Sequence, residues 1–366
     1  METKKHFYWI DLLRFLSALL VVLSHYRGYF FVTYGLLPET QKTVYSQILF
    51  LLTRFGEEPV LVFFVLSGFL VGGRAIRGML SNDIDARSYF IDRFVRILLP
   101  LIASSILVII IDIITNVPIP FKNIIGSIFS LQGIIMKPIH NAPLWSLSYE
   151  VWFYILIGCI MVISRNNKKY VPLSFLILTI CIYVFAQLNT MYLLILFIGA
   201  FSFLLPRQHI KFKKTKIIIC ICLLAFSFIL LQSTSTSKSI VISNLYFVNR
   251  EFASILLAFV TSLLVNYLIV SPPKTKIGNR IEKFSSKLSG FSYTLYLTHY
   301  PLMSLLAFWG FPKSKQLDIT SIIYYILAVL ISLVVAYLIY LISEKQTSSV
   351  KHLIKKKLKI TASSSQ

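Results

Sequence analysis

The chain has 366 residues, 57% of them hydrophobic, and its 36 Lys and Arg against 14 Asp and Glu give a net charge of +22. A mean hydropathy of +0.77, with apolar runs of spanning length along the whole chain, exceeds what one soluble core needs and marks an all-α polytopic integral membrane protein. The basic residues are spread over many short loops instead of one patch, so no nucleic-acid partner is expected.

Ten apolar segments follow in chain order, at about 9–30, 57–73, 97–115, 149–164, 171–187, 190–205, 216–231, 252–270, 291–309 and 321–343. The first carries Arg14 and His25 and lacks a small-residue cleavage site, so it reads as a retained helix and not as a signal peptide. Ten crossings put both termini on one side of the membrane. Of the 36 Lys and Arg, 26 then fall on that side, including Lys4, Lys5, Lys168, Arg207, Lys211 and Lys274. Nine fall on the other side, Lys238 among them, and Arg14 lies inside the membrane. That bias makes both termini cytoplasmic and the protein a multi-pass one of the inner (plasma) membrane. The Ser/Thr-rich run 232–238 reads as an outer loop.

In the first segment, Arg14 and His25 are eleven residues apart, which places them within about 20° on one helix face and roughly 16 Å apart along the axis. Asp11 shares the face. Ionised groups at bilayer depth are costly, at least ~2.5–3.5 kcal/mol on insertion scales, and face a protein interior or a water-filled cavity. An Asp11–Arg14 ion pair with His25 near the interface is the structural alternative. In the second segment, Phe63-Phe-Val-Leu-Ser67-Gly68-Phe69 lacks the first Gly of a GxSxG elbow, so Ser67 is not read as a nucleophile. Packing of small residues accounts for this stretch.

The next loop brings Arg93 and Arg96, at i,i+3 on a helix leading to Pro100, so both guanidinium groups point one way and can hold phosphate bidentately. Topology alone also places arginines there. In Leu144-Trp-Ser-Leu-Ser-Tyr-Glu150-Val-Trp-Phe-Tyr154, Glu150 opens an apolar run among aromatic residues, as an acid placed for proton transfer or as a helix-start acid favoured by the dipole, with Ser146 or Ser148 as N-cap. His299 lies inside the ninth segment, followed by Pro301, which loosens a helix. Trp145, Ser148, Tyr154, His299 and Asp11 are candidates for substrate contact or structural support. The four cysteines show no CxxC or metal-ligand spacing, so no metal site is expected. No P-loop, GxGxxG after a strand, or HExxH motif is present. The tail 344–366 is basic with apolar spacing, a pattern that suits the anionic inner leaflet and its membrane lipid.

Together these stretches resemble the membrane acyltransferase 3 family: the Arg14-x10-His25 pattern, Phe63–Phe69, Arg93-x2-Arg96, Leu144–Tyr154 and Ser292–Pro301, in that order. The resemblance covers about residues 9–343 and implies a ten-helix membrane acyltransferase domain, 1–343, ahead of a basic cytoplasmic tail, 344–366. No SGNH-type esterase domain follows, as in standalone members. Asp92 stands where members often carry another basic residue, which weakens the expected anion site. The resemblance implies transfer of an acyl group, acetyl foremost, from cytoplasmic acyl-CoA to a hydroxyl of a cell-envelope glycan or lipid-linked sugar. His25 is then the general base, with Glu150 orienting its imidazole. Arg14, Arg93 and Arg96 hold the CoA phosphates. O-succinyl transfer is an alternative chemistry, and a transporter or flippase of lipid-linked sugars is the competing class.

Overall fold

The computed structural model describes residues 8–360 apart from 84, 166–168, 206–212, 235–238, 243–244, 270–275 and 312. Lys4, Lys5, Lys168, Arg207, Lys211, Lys238 and Lys274, counted in the charge bias, lie outside the described residues, as does the end of the tail, 361–366.

The chain opens with α1 (Tyr8–Phe30) and the short α2 (Val44–Leu52). Then α3 (Glu58–Ser67) passes through a π-helical stretch (Gly68–Gly73) into α4 (Arg74–Leu80). The long α5 (Ala86–Ile114) starts where the Asp85 side chain accepts a hydrogen bond from the Ser88 N–H, an ordinary N-cap. There follow α6 (Phe121–Ile128), α7 (Trp145–Ser164), α8 (Val171–Gln187), α9 (Thr190–Ser202) and α10 (Lys213–Ser233). A two-stranded antiparallel ribbon of β1 (Ser239–Ile242) and β2 (Leu245–Asn249), in the region read as loop, leads to α11 (Arg250–Ile269). The chain closes with α12 (Lys276–Gly290), α13 (Ser292–Phe308), α14 (Ile319–Ile342) and α15 (Thr347–Lys357).

Each of the ten apolar segments coincides with a helix, but they do not make ten independent crossings. Among the described residues, seven stretches are long and apolar enough to span alone, those built on α1, α3, α5, α7, α10, α11 and α14. The helices α8 and α9 meet at a bend of 120°, so they form one broken span or a re-entrant pair where two crossings were expected. Asn189 makes that bend, its side chain accepting from the Met191 N–H at 2.9 Å to cap α9. The ninth segment, α13, has 17 residues, about 25 Å of helix. It is buried over most of its surface, as a helix in the middle of a bundle must be.

Helix directions follow from side-chain contacts. The Tyr325 hydroxyl of α14 donates to the Leu23 carbonyl of α1 at 3.0 Å, while at the other end Arg14 is in electrostatic reach of Glu344, just past α14. These two helices are therefore antiparallel, and α1 begins where α14 ends. We call this the arginine end, since Arg96 also interacts with Arg14 there. The opposite end, where His25 lies, is the histidine end.

Two local devices hold the middle of the bundle together. Gly68 and Gly199 let α3 and α9 touch backbone to backbone: a Cβ on Gly68 would meet the Leu196 carbonyl oxygen at 1.9 Å, and one on Gly199 would meet that of Val65 at 2.2 Å. The small-residue packing expected around Ser67 is thus real, although Gly68 carries it. In α13, Pro301 has no N–H for the Leu297 carbonyl four residues back. That carbonyl instead accepts from the Ser104 hydroxyl of α5 at 2.7 Å and the Asn141 amide at 2.8 Å. The interrupted helix is tied to its neighbours by the group the proline freed.

Candidate functional site

A narrow cavity of about 80 Å³ lies within the bundle. Its longest wall is the α3 face from Val60 to Val71, eleven residues or roughly 16 Å of helix. At the arginine end it is lined by Arg14 of α1, Arg96 of α5 and Tyr293 of α13. Halfway along stand Ser67, Glu150 and Tyr154; at the far end are Phe63, Ser146 and Tyr296. Cations line one end and mainly apolar and aromatic groups the rest, so the cavity suits a slender ligand with an anionic end.

Glu150 is the hub of the middle section. The Ser67 hydroxyl donates to its Oε1 at 2.9 Å, and the Tyr154 hydroxyl, one turn further along α7, donates to the same oxygen. Residue spacing puts Glu150 and Tyr154 on one face of α7, while Ser67 arrives from α3 at the start of the π-helical stretch. Extra backbone there, a feature frequent at functional sites, turns α3 toward the cavity. Arg93 does not line this cavity, but its guanidinium carbon lies 6.0 Å above the Tyr154 ring and its Nε is buried with no hydrogen-bond partner in the structure. Tyr293 likewise turns a buried, unpartnered hydroxyl into the site.

The expected pairing of Glu150 with His25 is not there. His25 Nδ1 instead lies 2.9 Å from Nε2 of His299, and the two rings stack almost in parallel, 5° apart. On the other side of the second ring, His299 Nδ1 lies 2.8 Å from the Tyr296 carbonyl and 3.2 Å from that of Leu295. A carbonyl can only accept, so His299 carries its proton on Nδ1 and presents a bare Nε2. His25 must then donate from Nδ1. Its own Nε2 keeps the lone pair, the tautomer a general base requires. Helix α1 is fixed in this position by Tyr26, next to His25, whose hydroxyl donates to the His299 carbonyl at 3.0 Å.

The histidine pair does not line the cavity. Phe63 and Tyr296, with ring centroids 6.0 Å apart, close the cavity's end, and the Tyr296 ring lies 5.9 Å from that of His299. The Tyr296 hydroxyl is held by the Pro143 carbonyl and Ser146, both at 2.7 Å. One aromatic side chain therefore separates the cavity from the histidines.

The other sequence candidates divide between the site and its frame. Asp11 is within electrostatic reach of Arg14, as the shared helix face required. Ser148 is not an N-cap: its hydroxyl donates to the Gln132 carbonyl at 2.6 Å and pins the loop before α7. Trp145 packs in an aromatic cluster, 5.3 Å from Tyr192 and 6.2 Å from Phe64. Ser67, Tyr293 and Tyr296 were not singled out as site residues. The only signal for them was a polar atom in an apolar helix, which many structural hydroxyls share. Among the described residues, no group of three or more His, Cys, Asp or Glu is placed to hold a metal ion.

A helical membrane bundle holds a cavity with cations at one end, and a histidine pair beyond the aromatic side chains that close its other end. The chain belongs to the membrane acyltransferase 3 family: the family's model, described as an acyltransferase domain, matches residues 7–341. Its general activity is acyl transfer. Neither a curated protein nor a solved structure matches the chain.

Proposed function

We propose that this membrane acyltransferase moves an acyl group, acetyl foremost, from acyl-CoA on the cytoplasmic side to a hydroxyl of a cell-envelope glycan or glycolipid. The inner membrane is its location, with both termini in the cytoplasm. The observation that carries the reading is the hydrogen-bond chain from the Tyr296 carbonyl through His299 to His25, which supports a neutral imidazole with its Nε2 lone pair available.

In this reaction the acceptor hydroxyl gives its proton to His25 Nε2 as its oxygen attacks the thioester carbonyl. The tetrahedral intermediate collapses, the carbon–sulfur bond breaks, and the leaving thiolate takes the proton from His25. Atoms and charge balance without a metal or an oxidant. His299 is a positioning residue: it accepts from Nδ1, holds the tautomer and shares the charge that develops on the imidazole. Arg14 and Arg96 attract the donor's phosphates at the cytoplasmic mouth. The pantetheine arm enters the cavity, where Glu150, Ser67 and Tyr154 offer acceptors and donors to its amides. Tyr296 and Phe63 have to swing aside for the thioester to reach His25.

Purified protein in nanodiscs, given acetyl-CoA labelled in the acetyl group and an envelope glycolipid fraction, tests the reading. Label should appear in the glycan, with a mass increase of one acetyl group. Movement of the glycolipid across the bilayer with no dependence on acyl-CoA would favour a transporter and contradict the proposal.

A further inference from the structure

The sequence offers one purpose for the basic C-terminal segment, contact with anionic lipid, yet the structure gives it a second surface. Helix α15 packs against the arginine end of α5, where Lys355 Nζ lies 2.9 Å from Asp92 Oδ2. Between them, the segment and the helices beside it enclose a second basin of about 340 Å³. Lys345, Thr347, Ser348 and Lys351 line one side of it and Arg96 lines the other. Arg96 lines the narrow cavity as well, so the basin lies at that cavity's arginine end.

Charge is concentrated there beyond what topology asks for. A positive-inside bias needs cations on one side of the membrane, but not their convergence on one basin. Lys351 interacts electrostatically with Arg93, Arg96 and Lys355, and Asp92 is the one acid in that group. Glu344 also lines the basin, but its Oε2 is engaged by the Thr294 N–H at 3.1 Å and the Thr294 hydroxyl at 2.8 Å. Four cations then face two carboxylates, Asp92 and Glu344, an excess of positive charge that a bound anion would relieve.

We propose that the segment Lys345–Lys357 forms a wall of the donor site, with Lys351 and Ser348 holding a phosphate group of the donor's nucleotide in this basin. The inference rests on acyl-CoA as the donor and adds a binding element beyond residue 341, where the family match ends. Shape supports it together with charge. The basin is open to solvent and at the lower end of the size range of small-molecule sites, and the adjoining cavity is more enclosed and lined mainly by apolar and aromatic side chains. A ligand with a bulky polyanionic head and a long thin arm fits the two in that order. Asp92 anchors the wall through Lys355.

The test uses the full chain in nanodiscs of zwitterionic lipid, with acetyl-CoA as the probe. Lys351→Glu should raise the KM for acetyl-CoA by about tenfold or more, the value of one charge-assisted phosphate contact, and leave kcat within about twofold. Lys351→Ala should show a smaller rise in the same direction, and Lys356→Ala, on the exposed face of α15, none. A wild type that uses acetyl-CoA alongside a Lys351→Glu variant of unchanged KM would overturn the wall alone. An effect present only when anionic lipid is added would assign the basin to a lipid headgroup and also overturn it. A wild type that neither binds nor uses CoA would overturn this inference and the donor assignment together.

Discussion

Replacing His299 tests the hydrogen-bond chain behind His25 most sharply. His299→Ala removes the acceptor 2.9 Å from His25 Nδ1. Leaving a buried donor unpaired costs about 1–3 kcal/mol, and the imidazole is then free to place its proton on Nε2, where it cannot act as base. At about 1.4 kcal/mol per tenfold, kcat should fall roughly 5- to 150-fold, with the KM for acyl-CoA little changed because the proposed donor site is at the other end of the bundle. His25→Ala removes the base outright, for about 10²–10⁴-fold. The double variant should be no slower than His25→Ala alone, since His299 acts only through His25. His299→Gln, whose side-chain carbonyl can accept from Nδ1, should recover part of the rate. Steady-state transfer of labelled acetyl groups, with protein folding checked by size exclusion, reads all four variants. A His299→Ala enzyme at the wild-type rate, or losses that multiply in the double variant, would refute the relay.

Three further outcomes follow from the fold. Gly68→Ala puts a Cβ 1.9 Å from the Leu196 carbonyl oxygen and Gly199→Ala one 2.2 Å from that of Val65. Backbone cannot swing aside as a side chain can, so α3 and α9 must separate by about 1 Å or more; each variant should lower the thermal midpoint in detergent, and an unchanged midpoint would contradict the packing. Asn141→Ala with Ser104→Ala strips the Leu297 carbonyl of both its partners and should cost about 1–3 kcal/mol; adding Pro301→Ala, which restores the helical donor, should return part of that stability in a denaturant titration. At the start of α14, backbone and side-chain hydrogen bonds from Ser321 hold the exposed Asp318 carboxyl below its ordinary value of 3.8. A lowered folded value means that the cap stabilises fully above pH 3.8 and that its contribution is lost progressively as the pH falls from there through the lowered folded value. Hydrogen exchange at the first amides of α14 should therefore speed up below that pH more than the intrinsic rate explains, and an unchanged protection factor would count against the cap.

Much of the architecture was legible because membrane helices announce themselves by hydropathy, and all ten apolar segments proved helical. Helical periodicity put Arg14 and His25 on one face of α1, but in the structure Arg14 lines the cavity and His25 does not. The partners of His25 were not readable. His25 and His299 are 274 residues apart, and no periodicity links positions on different helices. Glu150 was the natural acid to assign to His25, yet depth in the membrane does not fix which neighbour a side chain faces. It faces Ser67 and Tyr154, which complete its hydrogen bonds at closer range. The bend between α8 and α9 escaped because each half is as apolar as a separate span. The tail's packing on α5 was hidden by a composition that also suits a lipid surface.

The central claim is that His25 removes the acceptor's proton during transfer from acyl-CoA. It is tested most directly by single-turnover acetyl transfer to the envelope glycolipid from a saturating labelled donor, comparing wild type with His25→Ala. The account predicts a rate at least about 10²-fold lower in the variant, with CoA binding retained. Transfer by His25→Ala at close to the wild-type rate would contradict it.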